Sequence, residues 1–150
     1  MGKVAVFDLD GTISICDHRL HYISGDKRDW SGFYKACTKD EVNWPVYWVL
    51  QALHTQGRKI VFLSGRSDEV RTETIEWLNN HGIPFDGLYM RPDKNYEPDN
   101  TLKAKMMVDA QTEMGFTKED VLCIFDDRDK VVKMWRESGY PCFQVRDGAY

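Results

Sequence analysis

The 150-residue chain has no apolar run approaching the roughly 18 residues that a membrane-spanning helix needs. Its opening, Met1-Gly2-Lys3-Val4, passes straight into a strand-like stretch and lacks the apolar region and small-residue cleavage site of a signal peptide. Met1-Gly2 invites myristoylation, but Val6 stands where that signal needs Ser or Thr. These gaps predict no membrane partner and a cytoplasmic location. The four cysteines, Cys16, Cys37, Cys123 and Cys142, form no C-x-x-C pair and share no zinc spacing with histidine. Free thiols in a reducing compartment are the expectation, with Cys123 and Cys142 as small buried hydrophobes. An excess of positive charge is missing too. Lys and Arg number 20 against 24 Asp and Glu, for a net charge of −4. That disfavours tight non-specific binding to duplex DNA and leaves room for a local basic site holding one phosphorylated end. Internal repeats and low-complexity linkers are absent as well.

What is there alternates. Lys3–Asp8, Ile60–Leu63, Leu88–Met90, Val121–Phe125 and Cys142–Val145 read as short strands. Between them lie helical patterns. Residues 43–56 carry Asn43 as N-cap, Pro45 in the first turn, a stripe of Val46, Val49, Leu50 and Leu53, and Gly57 as the stop. A second helix runs from about Asp68 with Val70, Thr74, Trp77 and Leu78 inward, and ends at Gly82 and Pro84. A third runs from about Thr101 to Gly115, and a fourth covers 129–138. Such alternation predicts an α/β fold, a Rossmann-like three-layer sandwich whose central parallel sheet is covered by helices on both faces. The chain is expected to be one domain, 1–150. Residues 13–42, polar and rich in aromatics, break the alternation and read as a small cap-like insert after the first strand.

Ligands of open α/β sheets bind beyond the carboxyl ends of the strands, and the unusual residues fall there. The first strand ends in Asp8-Leu9-Asp10-Gly11-Thr12. Residues two apart in extended chain point the same way, so Asp8 and Asp10 can face one pocket, and Gly11 permits a sharp turn. Close carboxylates want a cation, and hard Mg²⁺ suits oxygen ligands. The second strand ends in Ser64-Gly65-Arg66, a hydroxyl, a turn and a guanidinium suited to phosphate oxygens. Lys103, near the start of a helix, opposes the macrodipole unless an anion rewards it. Asp126-Asp127-Arg128 follows the fourth strand, as a metal-ligand pair or as the N-cap of the next helix. Around the insert, Trp30, Phe33, Tyr34, Trp44, Tyr47 and Trp48 form either core or a stacking surface for bases.

In order and type these elements resemble the haloacid dehalogenase superfamily of phosphatases, with its D-x-D-G-T strand end, its Ser or Thr, its Lys and its late acidic pair. More narrowly, nearly the whole chain resembles the 3′-phosphatase domain of bacteriophage polynucleotide kinase-phosphatases. The resemblance takes in Val6-Phe7-Asp8 through Thr12, Ser64-Gly65-Arg66, Asp99 with Lys103, Asp126-Asp127-Arg128, Val131-Val132, Met134-Trp135-Arg136 and Cys142-Phe143-Gln144-Val145. The stretch 28–43 resembles the insert of stand-alone phage phosphatases of this type. No G-x-x-x-x-G-K-[ST] occurs, so kinase activity does not carry over, and a separate kinase or ligase partner is a possibility the resemblance raises. The resemblance implies the haloacid dehalogenase fold and Asp8 as nucleophile. It implies Asp10 as acid–base, needing a proton before attack that neighbouring Asp8 could help it keep. Mg²⁺ would sit on Asp8, the Asp10 main-chain carbonyl and Asp127, with Asp126 behind or bridged by water. Phosphate or substrate contacts are expected at Thr12, Arg19, Ser64, Gly65, Arg66, Lys103 and Arg128, with Asp99 orienting Lys103. The implied substrate is a phosphorylated nucleic-acid end; the rival reading with the same chemistry is a phosphatase of free nucleotides or small metabolites, and one of another class is a non-catalytic binder of phosphorylated ends.

Overall fold

The computed structural model describes residues 2–150. Five parallel strands form the central sheet in the order β5-β4-β1-β6-β7. They are β1 (Val4–Phe7), β4 (Lys59–Ser67), β5 (Gly87–Arg91), β6 (Val121–Asp126) and β7 (Cys142–Gln144). A separate antiparallel pair, β2 (Ser14–Ile15) and β3 (Glu41–Val42), closes the base of the insert. The helices are α1 (Trp30–Lys35), α2 (Trp44–Thr55), α3 (Arg71–Asn80), α4 (Asp99–Met114) and α5 (Asp129–Glu137).

Strand alternation builds two cores. Ala5 and Phe7 of β1 join Ile60 and Phe62 of β4 against Val46 and Leu50 of α2 and Trp77 and Leu78 of α3. Val4 and Val6 point to the other face, with Val61, Leu63, Leu102 and Met106 of α4 and Val131 and Trp135 of α5. Both faces of the sheet are thus covered, which is why β1, β4 and β6 read as apolar runs. The chain leaves β1 for neighbours on both sides, β4 and β6, and the end of β1 is therefore the topological switch point where such folds bind ligands. Among the described residues no helix is long and apolar enough to cross a membrane.

Several elements differ from the sequence expectation. β4 runs on to Ser67 with an irregularity between Ser64 and Ser67, so Ser64-Gly65-Arg66 lies inside the strand and not in a turn. There Arg91 of β5 donates to the Gly65 carbonyl at 2.8 Å. α4 starts at Asp99, which places Lys103 a full turn inside the helix on its buried face. Val49 lies outside the buried stripe of α2, and Trp44 and Trp48 are exposed at 53% and 65%, too far round the helix to reach the sheet. Asn43 occupies the N-cap position of α2 as expected, but its side chain makes no capping hydrogen bond, and its amide N–H donates to the Thr12 carbonyl at 2.8 Å. All four cysteines are free, and Cys142 is only half-buried.

Candidate active site

Asp8 has the parity of Val4 and Val6, so it emerges on the α4 side of β1. There Lys103 Nζ donates to Asp8 Oδ1 at 2.9 Å and to Asp126 Oδ2 at 2.7 Å. Thr12 Oγ1 donates to Asp8 Oδ2 at 3.3 Å. Oxygens of Asp8, Asp126 and Asp127 all lie within 4.8 Å of one another, and all three residues are buried. Burial raises the Asp8 carboxyl well above the ordinary carboxylate range, and Asp126 and Asp127 push it further against the pull of Lys103. Burial and Asp126 together lift Asp127 to about 6. Burial alone would depress Lys103, but Asp126 and Asp8 outweigh it and keep the ammonium charged. Three carboxylates against one lysine form an all-oxygen set with negative charge to spare, which fits a hard dication.

The two acids of the 126–127 pair have different duties. Asp126 Oδ1 accepts the backbone N–H of Asp127 at 2.8 Å and of Arg128 at 3.3 Å, while Oδ2 takes Lys103. Asp127 instead faces outward to Arg146 at 3.4 Å and to the Tyr150 hydroxyl. Gly11 passes directly over it with φ +85°, and a Cβ there would overlap the Asp127 carboxylate.

Asp10 turns the other way. After β1 the chain folds into a tight loop in which the Leu9 carbonyl accepts the N–H groups of Thr12, Ile13 and Ser14. This swings the Asp10 carboxylate toward Arg66 Nη2 at 2.5 Å and onto Arg19. Burial would raise its pKa, but Arg66 and Arg19 prevail and hold it below the usual carboxylate range. The expected help from Asp8 in retaining a proton is therefore overturned by the two guanidiniums. The side chain also stays out of the Asp8–Asp126–Asp127 cluster, so only the Asp10 main chain remains as a candidate metal ligand.

A residue that sequence reasoning missed anchors this pair. Asp40, buried at the end of the insert, takes Arg19 through Oδ1 at 2.9 Å and Oδ2 at 2.6 Å. It also bonds His18 at 2.7 Å and lies 3.5 Å from Arg66. Arg19 is fully buried (0% exposed), with its guanidinium 4.4 Å from the Phe33 ring centroid. Arg66 also donates to Thr74 at 3.0 Å. The sequence carries no local signal for Asp40; only the burial of two arginines beside Asp10 reveals the need for a second acid.

Asp99, expected to orient Lys103, makes no hydrogen bond to it. Its carboxylate is taken by Arg128 at 2.5 Å and by Arg91, a second residue missed in the sequence. The pairs close over Gly65, where a Cβ would stand 2.7 Å from Asp99 Oδ1. Ser64 is buried, and its hydroxyl oxygen accepts the Arg66 N–H at 3.0 Å, which leaves the hydroxyl proton to donate. Asp8, Asp10, Ser64, Lys103, Asp127 and Arg128 all line one cavity of about 830 Å³.

The model of the polynucleotide kinase PNKP phosphatase domain matches residues 2–150. Solved chains from a Pnkp1/Rnl/Hen1 RNA repair complex are 34% identical over 98% of this chain, with a TM-score of 0.81. A protein of Autographa californica nuclear polyhedrosis virus, named as a bifunctional polynucleotide kinase/RNA ligase, is 29% identical over 93% of the chain. This chain spans only 43% of the former and 18% of the latter. The fold alone is shared with a haloacid dehalogenase-like hydrolase of Streptococcus pneumoniae, with a TM-score of 0.68 at 16% identity, covering 95% of this chain and 83% of that one. The chain belongs to the PNKP phosphatase family of the haloacid dehalogenase superfamily and is a phosphatase domain.

Proposed function

We propose that this phosphatase domain removes 3′-phosphates from polynucleotide ends in a Mg²⁺-dependent reaction with Asp8 as nucleophile. The observation that carries the chemistry is the buried Asp8 carboxylate sharing Lys103 with Asp126, beside Asp127. Family membership supports the polynucleotide end.

Asp8, the Asp10 carbonyl and Asp127 would hold the metal. Asp126 serves behind them, because both its oxygens are engaged by backbone N–H groups and Lys103. A Mg²⁺ ion held there would offset the repulsion between a carboxylate nucleophile and a phosphate anion. Asp8 then attacks phosphorus in line, the ester P–O bond breaks, and an aspartyl-phosphate forms. The departing oxygen takes a proton from Asp10, which afterwards removes one from the water that frees phosphate and restores Asp8. Ser64, Thr12 and Lys103 hold phosphoryl oxygens, and Arg19, Arg66 and Arg128 grip the phosphate or the substrate beyond it.

Asp10 starts ionised between Arg19 and Arg66. Its proton therefore arrives with the substrate, whose phosphate monoester has a second pKa of about 6. Once the guanidiniums turn to the incoming phosphate, Asp10 loses its countercharges and gains an anionic neighbour. Both changes raise its proton affinity.

The test is phosphate release, with and without Mg²⁺, from a 3′-phosphorylated oligonucleotide, its 5′-phosphorylated isomer, a 3′-mononucleotide and an aryl phosphate. Preference for the 3′-oligonucleotide is expected, with no turnover by Asp8→Asn of native fold. Equal or better activity on small substrates would move the function to nucleotides or metabolites, and an active Asp8→Asn would remove the nucleophile. Kinase or ligase steps at the same ends would be supplied by a separate partner or by further chain.

A further inference from the structure

The chemistry occupies only the floor of the cavity. Its volume, about 830 Å³, lies at the upper end of small-ligand sites, and a phosphoryl group fills a small part of it. The remainder faces the leaving group, and two separate elements wall it. One is α1 of the insert, which presents Trp30. The other is the 92–98 loop between β5 and α4, which presents Tyr96.

Both walls are tied to the same atom of the floor. The Gly65 carbonyl, between Ser64 and Arg66, accepts Arg91 Nε at 2.8 Å and faces the Tyr34 hydroxyl at 3.4 Å. Arg91 also holds the 92–98 loop through the carbonyls of Asn95 at 3.2 Å and Glu97 at 2.7 Å. Tyr34 and Phe33 pack on Trp30, with ring centroids 6.0 and 5.8 Å away. The start of α1 is fixed by Asp29, which accepts the Gly32 N–H at 2.9 Å, and by Ser31, which bonds Glu69 at 2.9 Å. Trp30 is thus held in place yet 41% exposed, and Tyr96 is 86% exposed, an unusual state for large rings beside a catalytic floor. Trp44 and Trp48 are more exposed than Trp30 and do not line this cavity.

We propose that Trp30 and Tyr96 form a clamp for the nucleobase attached to the phosphate being removed. The inference rests on the phosphatase reading for the position of the phosphate. Stacking suits the rim better than backbone charge does, because its charges are of both signs: Arg28, Lys94 and Lys130 stand with Glu69, Asp93 and Glu97. A clamp of this kind accepts any base, since each has a π face, and it requires the terminal base to be unstacked from a duplex. Single-stranded or frayed ends are therefore the preferred substrate.

The experiment compares a 3′-phosphorylated oligonucleotide with the same strand carrying an abasic terminal sugar 3′-phosphate. A 3′-mononucleotide and ribose 3-phosphate form a second pair. Wild type should show a KM about tenfold lower for the base-bearing member of each pair. Trp30→Ala should raise that KM about tenfold, leave the abasic member and kcat unchanged, and be rescued by Trp30→Phe; Tyr96→Ala should do the same more weakly. A contrast confined to the oligonucleotide pair, or to the mononucleotide pair, identifies which source the clamp serves. Equal losses on base-bearing and abasic members, or a wild type blind to the base, overturn the clamp. Anisotropy of the same two strands bound to Asp8→Asn separates the two readings. A base-dependent affinity lost in Asp8→Asn/Trp30→Ala keeps the clamp even where turnover fails, and its absence removes the clamp even where phosphatase activity stands.

Discussion

Asp40 gives the sharpest test of how the site is held. It stands among Arg19, Arg66 and Asp10, a buried group of two positive and two negative charges. Removing one member of a buried pair leaves an uncompensated charge and costs about 3–5 kcal/mol. The lower half of that range applies to Asp40→Ala, because Arg19 keeps Asp10, the Phe33 carbonyl and the Phe33 ring. Asp40→Asn retains the shape and one acceptor and should cost less. For a domain of this size 1 kcal/mol moves Tm by about 2–4 °C, so Asp40→Ala should melt about 6–15 °C below wild type. Calorimetry and urea unfolding at pH 7 read the change. Activity should fall by more than tenfold in both variants, through kcat, since Arg19 is no longer pinned. A Tm loss under 2 °C for Asp40→Ala would refute the claim that this carboxylate balances the arginines.

Two further outcomes follow from the acidic cluster. Burial and Asp126 raise Asp127 to about 6, so the folded state binds a proton more tightly than the unfolded chain does. The metal-free domain should therefore lose stability as pH rises from about 4 to 6, and Mg²⁺, which needs ionised carboxylates, should restore it increasingly over that range. Thermal melts with Mg²⁺ or EDTA between pH 5 and 7.5 read this, and a Mg²⁺ shift that shrinks with rising pH would contradict it. Gly11→Ala should cost about 1 kcal/mol or more for its positive φ, and should raise the Mg²⁺ concentration for half-activity as the methyl displaces Asp127. An unchanged Mg²⁺ dependence would show that Gly11 serves the turn alone.

The sheet and the positions of Asp8, Ser64 and Asp126 were legible because each rests on a local pattern. An apolar run that stops at an acid marks the strand end at Asp8 and Asp126, whereas at Ser64 the strand runs on to Ser67. What the chain hides is which charge meets which. Asp40 sits in Lys39-Asp40-Glu41, a segment indistinguishable from solvated loop, and its burial comes from β3 closing the insert and from Trp77 donating to its carbonyl at 2.9 Å. Arg91 ends a strand, like many exposed arginines, and its function depends on the Gly65 carbonyl of the neighbouring strand. Asp10 was placed on the right strand end, but its charge state is set by Arg66, 56 residues away in sequence.

The same long-range pairings join chemistry to recognition. In the proposed mechanism Arg19 and Arg66, which hold Asp10 ionised, turn to the incoming anion, so that Asp10 becomes competent as acid–base group only when a phosphate is present. Arg19 belongs to the insert, which also carries Trp30, and Arg66 follows Gly65, where the loop bearing Tyr96 is anchored through Arg91. A ligand that seats both rings therefore braces the two elements that position these arginines. Such bracing acts alike on the bound substrate and on the transition state, so the base lowers KM while kcat stays with the phosphate and Asp10.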